Sequence, residues 1–228
     1  MKYYTTFAML FVGLLLTANT IGPKPLQLGP VVLPAGLMLF PLTYLLGVIL
    51  TEVYGFYASR RVIWTALACN LFMATACQLA VLWPGGDAWT SQEAYAQVLI
   101  PSSRIMVVSV FTYLIGEFIN AYIVAKLKIF MAGKRFWVRA ISGSAIGECV
   151  ETALFLPLAF WDWPAEQLWR LAPVYITFKV GYAFCALPLV GKLAGWLKRV
   201  EGIDYYDTHT DFNPLAIFTE WFRNNGKT

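Results

Sequence analysis

The chain has 228 residues, 59% hydrophobic and only 13% charged, with a mean hydropathy of +0.61. Soluble domains carry about a quarter charged residues, so this composition excludes an ordinary soluble domain and points to an integral membrane protein. The net charge of +4 does not indicate nucleic acid, because Lys and Arg lie between apolar runs rather than on one soluble basic face.

Apolar runs predict six membrane-spanning helices, at about 3–22, 33–54, 62–83, 100–128, 137–161 and 171–197. The first has Lys2 before an apolar core, as a signal peptide does. It lacks an A-x-A-like cleavage site and is read as a retained helix carrying Asn19. Glu52 falls toward one end of the second span, and Asn70 and Gln78 lie in the third. A turn-rich polar loop, WPGGDAWTSQEAYAQ, leads to the fourth, which holds Glu117 and Asn120. The fifth, VRAISGSAIGECVETALFLPLAFW, holds Glu148 and Glu151, and Lys179 is the only lysine deep in the sixth. With the amino terminus inside, thirteen Lys and Arg face the cytoplasm and three (Lys24, Arg104, Arg170) face out. That asymmetry puts both termini in the cytoplasm.

The expected fold is therefore an all-α membrane protein, a six-helix bundle over residues 1–200. A cytoplasmic tail follows over 201–228, its end read as a short helix on the membrane surface. Pro41, Pro157 and Pro188 fall within or near spans, as candidate kinks or hinges. Cys69, Cys77, Cys149 and Cys185 lie inside the apolar runs without a CxxC partner, and the lone His209 is in the tail. Neither a metal site nor a disulfide framework follows, and no cofactor is called for. No GxxxxGK[ST] loop is present, so a nucleotide-driven process needs a partner chain. An intramembrane enzyme needs a nucleophile–base or metal constellation, and none accompanies the glutamates.

A carboxylate at the bilayer centre costs about 2.5–3.5 kcal/mol on insertion scales. Glu148 and Glu151, at i and i+3, share one helical face. At about 1.5 Å per residue, Lys179 and Glu151 reach the same depth, near the level of Glu117. One reading is a buried ion pair that locks helices through Lys179. One lysine still leaves two glutamates uncompensated, to be matched by protons, water or a ligand that is cationic or rich in hydrogen-bond donors. Gly116-Glu117-Phe118-Ile119-Asn120 and Gly147-Glu148-Cys149-Val150-Glu151 repeat one local pattern, in which glycine lets two polar stripes converge across a close contact. Asn19, Asn70, Gln78 and Asn120 serve either as interhelical hydrogen bonds or as ligand contacts. Tyr44, Phe155 and Trp161 are candidate rings for stacking on a flat ligand.

Several ordered segments resemble the queuosine precursor transporter family, a vitamin-uptake-type family: TANTIGPK, FPLTYLLGVILTEVYGFYASR, RIMVVSVFTYLIGEFINAYIVAKLK, VRAISGSAIGECVETALFLPLAF and YYDTHTDFNP. The resemblance runs from about residue 5 to 213. It implies a six-helix inner-membrane importer of 7-deazaguanine bases, such as 7-cyano- or 7-aminomethyl-7-deazaguanine. It also implies a fold similar to the substrate-binding subunits of energy-coupling-factor vitamin transporters. Asn19, Glu52, Asn70, Glu117, Asn120, Glu148 and Glu151 match polar positions of the family. Val48, Glu148 and Glu151 depart from it, standing where members often have an acidic residue, Gln and Asp. The implied partners are a purine-like base and the bilayer, with no nucleic acid, and so small a bundle is compatible with a homodimer. Glu151 is the favoured base-reading carboxylate, with Glu148 the alternative and Glu117 and Lys179 setting local charge. A binding subunit that depends on a separate energy-coupling ATPase is the other reading.

Overall fold

The computed structural model describes residues 1–28, 31–161 and 164–216, and among them six helices are long and apolar enough to cross a membrane. α1 (Tyr4–Ile21) is followed by an antiparallel hairpin of β1 (Pro25–Leu28) and β2 (Val31–Pro34), with Leu26 opposite Leu33. A 3-10 turn (Ala35–Met38) leads into α2 (Phe40–Tyr54), and Gly55 alone separates α2 from α3 (Phe56–Leu82). α4 (Gln92–Phe130), α5 (Phe136–Ala159) and α6 (Ala165–Glu201) complete the bundle.

The spans lie where the apolar runs placed them, with informative differences at their ends. Strands of four residues are too short to show a period, so the hairpin was not foreseen. α3 begins six residues before the expected 62, because Arg60 lies within the helix, buried against the carbonyls of Asp211 and Asn213 at 3.2 and 2.9 Å. α4 extends back to Gln92 and takes half of the expected loop. The Gln92 amide donates to the Val81 carbonyl at 2.8 Å, tying the start of α4 to the end of α3.

α2 is the central helix. Its span is 78% buried, against 17% for α3 and 22% for α6, as its nearly unbroken apolar sequence requires. Around it the core joins Phe11, Leu45, Ile49, Phe56 and Ala121. Phe72, Phe111, Phe184 and Leu189 are exposed on the outer faces of α3, α4 and α6, the surface that lipid covers. Pro157 lies inside α5, and Pro173 and Pro188 inside α6; Pro41 sits in the first turn of α2, where it breaks no hydrogen bond.

One end of the bundle is stitched by charge. Glu201 accepts hydrogen bonds from the backbone amides of Lys2 and Tyr3 and from the Tyr54 hydroxyl, joining the ends of α6, α1 and α2. Beyond Gly202, residues 203–214 cross the same end as an irregular strap. Asp207 accepts from the first amide of α3, Phe56, with both carboxylate oxygens at 3.1 and 3.0 Å. Trp64 donates its indole N–H to the Pro214 carbonyl, and Lys126 stands over the Phe212 ring. Gly55 has φ +85°, open to glycine at little cost, and a Cβ there would overlap the Tyr205 ring of the strap. The surface helix expected at the end of the tail falls on 217–228, outside the described residues.

A polar site buried between four helices

The polar stripes of α4 and α5 converge because glycine leaves them room. A Cβ on Gly116 would press on the Gly147 carbonyl, the Tyr44 hydroxyl and the Glu151 side chain. One on Gly147 would press on the Gly116 carbonyl. Gly47 of α2 leaves the space that the Glu117 carboxylate fills. The close contact read from the paired Gly-Glu segments is therefore present, and α2 contributes to it as well.

Lys179 of α6 forms an ion pair with Glu151 Oε2 and donates to Thr152 Oγ1 at 3.2 Å, so the shared depth estimated along the chain is found. Glu117 Oε1 accepts from Asn120 Nδ2 at 3.3 Å, and the same amide nitrogen donates to the Tyr44 carbonyl at 3.3 Å. Glu148 differs from both other carboxylates: it is fully buried and neither oxygen has a hydrogen-bond partner. Asn120 Oδ1, Ser144 Oγ and the Tyr44 hydroxyl are also buried without a partner. Each such group costs about 1–3 kcal/mol, so a fold that keeps several together holds them for something other than stability.

A narrow cavity runs from the Glu151–Lys179 pair past Phe40, Phe155 and Tyr175 toward Leu37 and Pro34 at the hairpin end. Its volume is only about 30 Å³. Its walls are aromatic and its floor is charged, which suits a flat ring with polar edges. Asn19 and Asn70 are fully buried, and none of their four amide atoms has a partner. Asn70 faces a second, smaller cavity beside Leu15 and Tyr113. The Tyr113 ring packs against Tyr44 and Phe40, with centroids 5.1 and 6.2 Å apart, between the two cavities.

Glu52 stands apart from this group. Its Oε1 takes Arg139 Nη2 at 2.7 Å and Lys198 Nζ at 2.5 Å, with Lys128 Nζ at 3.8 Å, at the strap end of the bundle. Asp204 of the strap accepts from Lys128 and Lys198 at 2.6 and 2.8 Å. Partial burial pushes the Asp204 carboxyl up, but hydrogen bonds from the two ammonium groups outweigh it and hold the carboxyl below its ordinary range.

Of the rings singled out in the sequence, Tyr44 and Phe155 border the site, while Trp161 is exposed beside Arg104. Sequence reasoning missed Tyr113, Ser144, Thr152, Phe40 and Tyr175. Tyr113 was detectable: it lies four residues before Glu117 and seven before Asn120, on one helical face.

Six apolar helices around a buried, unevenly neutralised polar cluster and an aromatic-lined cavity define a multi-pass membrane protein. Over residues 34–193 the chain matches the model of a family described as "Putative vitamin uptake transporter", and it belongs to that family. It is thus a multi-pass inner-membrane protein of a transporter family. It is 24% identical over 169 residues to the queuosine precursor transporter of Escherichia coli (strain K12), covering 72% of this chain and 74% of that protein. No solved structure matches the chain.

Proposed function

We propose that this protein imports queuosine precursors, 7-deazaguanine bases such as the 7-cyano and 7-aminomethyl forms, by secondary or facilitated transport through the polar site. The observation that carries the reading is Glu148, a fully buried carboxylate with two unpartnered oxygens, one helical turn from the ion-paired Glu151. A guanine-like base presents N1–H and its 2-amino group side by side, and one carboxylate accepts that pair through two parallel hydrogen bonds. The sequence favoured Glu151 for this role. Its ion pair with Lys179 shifts the assignment to Glu148. Tyr44 or a ring of the cavity stacks on the base, and Asn120, Asn70 or Asn19 supplies amides to its acceptor edge. A base is far larger than the open space beside Lys179, so loading requires Phe40, Phe155 or the hairpin to move. The distribution of Lys and Arg supports a strap end that faces the cytoplasm.

The test is queuosine in tRNA in a strain unable to make the base but supplied with precursor. Wild-type protein restores the modification, and Glu148→Ala/Glu151→Ala, expressed to the same level, does not. Full rescue by the double variant would sink the proposal. The second reading is a binding subunit for a vitamin or nucleobase that depends on a separate energy-coupling ATPase. Uptake by vesicles containing this chain alone separates the two, since a dependent subunit would bind but not transport.

A further inference from the structure

Glu117 has no task in the recognition step just described, yet it is fully buried in the middle of α4. Its described hydrogen-bond partners are neutral, the Asn120 amide on Oε1 and the Tyr113 hydroxyl. The groups around it come from every neighbouring helix of the site. α2 offers Tyr44, α4 itself offers Tyr113, α5 offers Glu148 and Glu151, and α6 offers Lys179, which is engaged by Glu151. Three carboxylates thus share one ammonium group. Two unpaired carboxylates side by side, out of water, cost several kcal/mol each, and their mutual repulsion adds to that.

We propose that Glu117 is a proton-binding site that couples import to the proton gradient, its proton allowing the neighbouring Glu148 to ionise and grip the substrate. This rests on the transport reading above and extends it. With a proton, the Glu117 carboxyl becomes an O–H donor in a cluster where the Asn120 carbonyl oxygen and the Tyr44 hydroxyl are buried without hydrogen bonds. The pair then carries one negative charge, on Glu148, where a neutral base with two adjacent N–H donors needs an acceptor. The base therefore binds the form in which Glu117 is protonated and is released as that proton is lost. Only a proton moves: hydronium on the side of entry gives it to the Glu117 carboxylate, and water on the inner side takes it back. Acid on the side of entry favours loading, and a more alkaline interior favours release of both.

Two measurements test this. Purified protein in vesicles should accumulate labelled 7-cyano-7-deazaguanine, a neutral probe, at least tenfold above the outside concentration when the interior is the more alkaline side. A proton ionophore should abolish the accumulation. Glu117→Gln, a neutral amide of the same shape, should still equilibrate label across the membrane and lose the accumulation, while Glu117→Asp should retain it. Accumulation that ignores the ionophore, or that persists in Glu117→Gln, overturns the proposal. The second readout needs no substrate: infrared spectra of the free protein should show a protonated-carboxyl band that Glu117→Gln removes and alkali bleaches. If the band is present but the base is never transported, the proton site stands and the substrate assignment fails. If the band is absent, the proton site fails even where transport succeeds.

Discussion

At the level of single residues, the buried acidic groups divide into those that hold the fold and those that do not. Glu52 is ringed by Arg139, Lys198 and Lys128, so Glu52→Ala strands buried cations. A loss of about 3–5 kcal/mol is expected, read as a lowered melting temperature in detergent. Glu148→Ala removes a group with no partner, so the melting temperature should stay level or rise while transport is lost. Gly147→Leu drives a side chain into the Gly116 carbonyl across the α4–α5 contact, and a loss of about 1–3 kcal/mol or more is expected in the same assay. Much of this was legible in the sequence. The rise per residue placed Lys179 level with Glu151, and the repeated Gly-Glu segments indicated the close contact. What separates Glu148 from Glu151 was not legible: both lie on one helical face, and only the position of Lys179 on another helix decides which oxygen is occupied. Glu52 looked like a fourth member of the set because its cations come from residues 76 to 146 positions away in the chain.

Among the elements, the strap is the one whose role the sequence concealed. Its residues read as an acidic, aromatic tail, and nothing in their local pattern says that Asp207 caps a helix 151 residues earlier. Asp207→Ala leaves the Phe56 amide without that acceptor and should cost about 0.5–2 kcal/mol, the range for a lost helix cap. Local opening should appear as faster hydrogen exchange in the first turn of α3. The Asp204 contact gives the strap a pH dependence of definite sign. A carboxyl whose folded value lies below its unfolded one contributes stability above the unfolded value, about 3.9, and loses it as pH falls through the folded one. Acidification should therefore loosen the strap before it melts the bundle. Because Asp204 is 45% exposed the effect is small, and it is best followed by protease cleavage after Gly202 as pH is lowered.

For the whole molecule, six candidate spans and the excess of Lys and Arg in the connections of one side are the basis for proposing that both ends of the chain lie in the cytoplasm. A phosphatase fused after Pro84, in the α3–α4 connection, should be active in cells, and one fused at the carboxyl end should be inactive. The reverse pattern would overturn the orientation. Helix lengths are uneven. α4, at 39 residues, spans about 58 Å, and α2, at 15, only about 22 Å, against a hydrocarbon core of about 30 Å. The 3-10 turn ahead of α2 makes up part of the missing length, and its Ala35, Gly36 and Leu37 are buried, as irregular backbone within a span requires. The strap also ties completion of the fold to the order of synthesis. Arg60 emerges from the ribosome early, whereas the Asp211 and Asn213 carbonyls that accept from it follow 151 and 153 residues later. The first half of the chain must wait in the membrane with that contact unmade. A message cut short after Glu201 would encode all six helices and still leave the quality-control proteases an unfinished end to recognise.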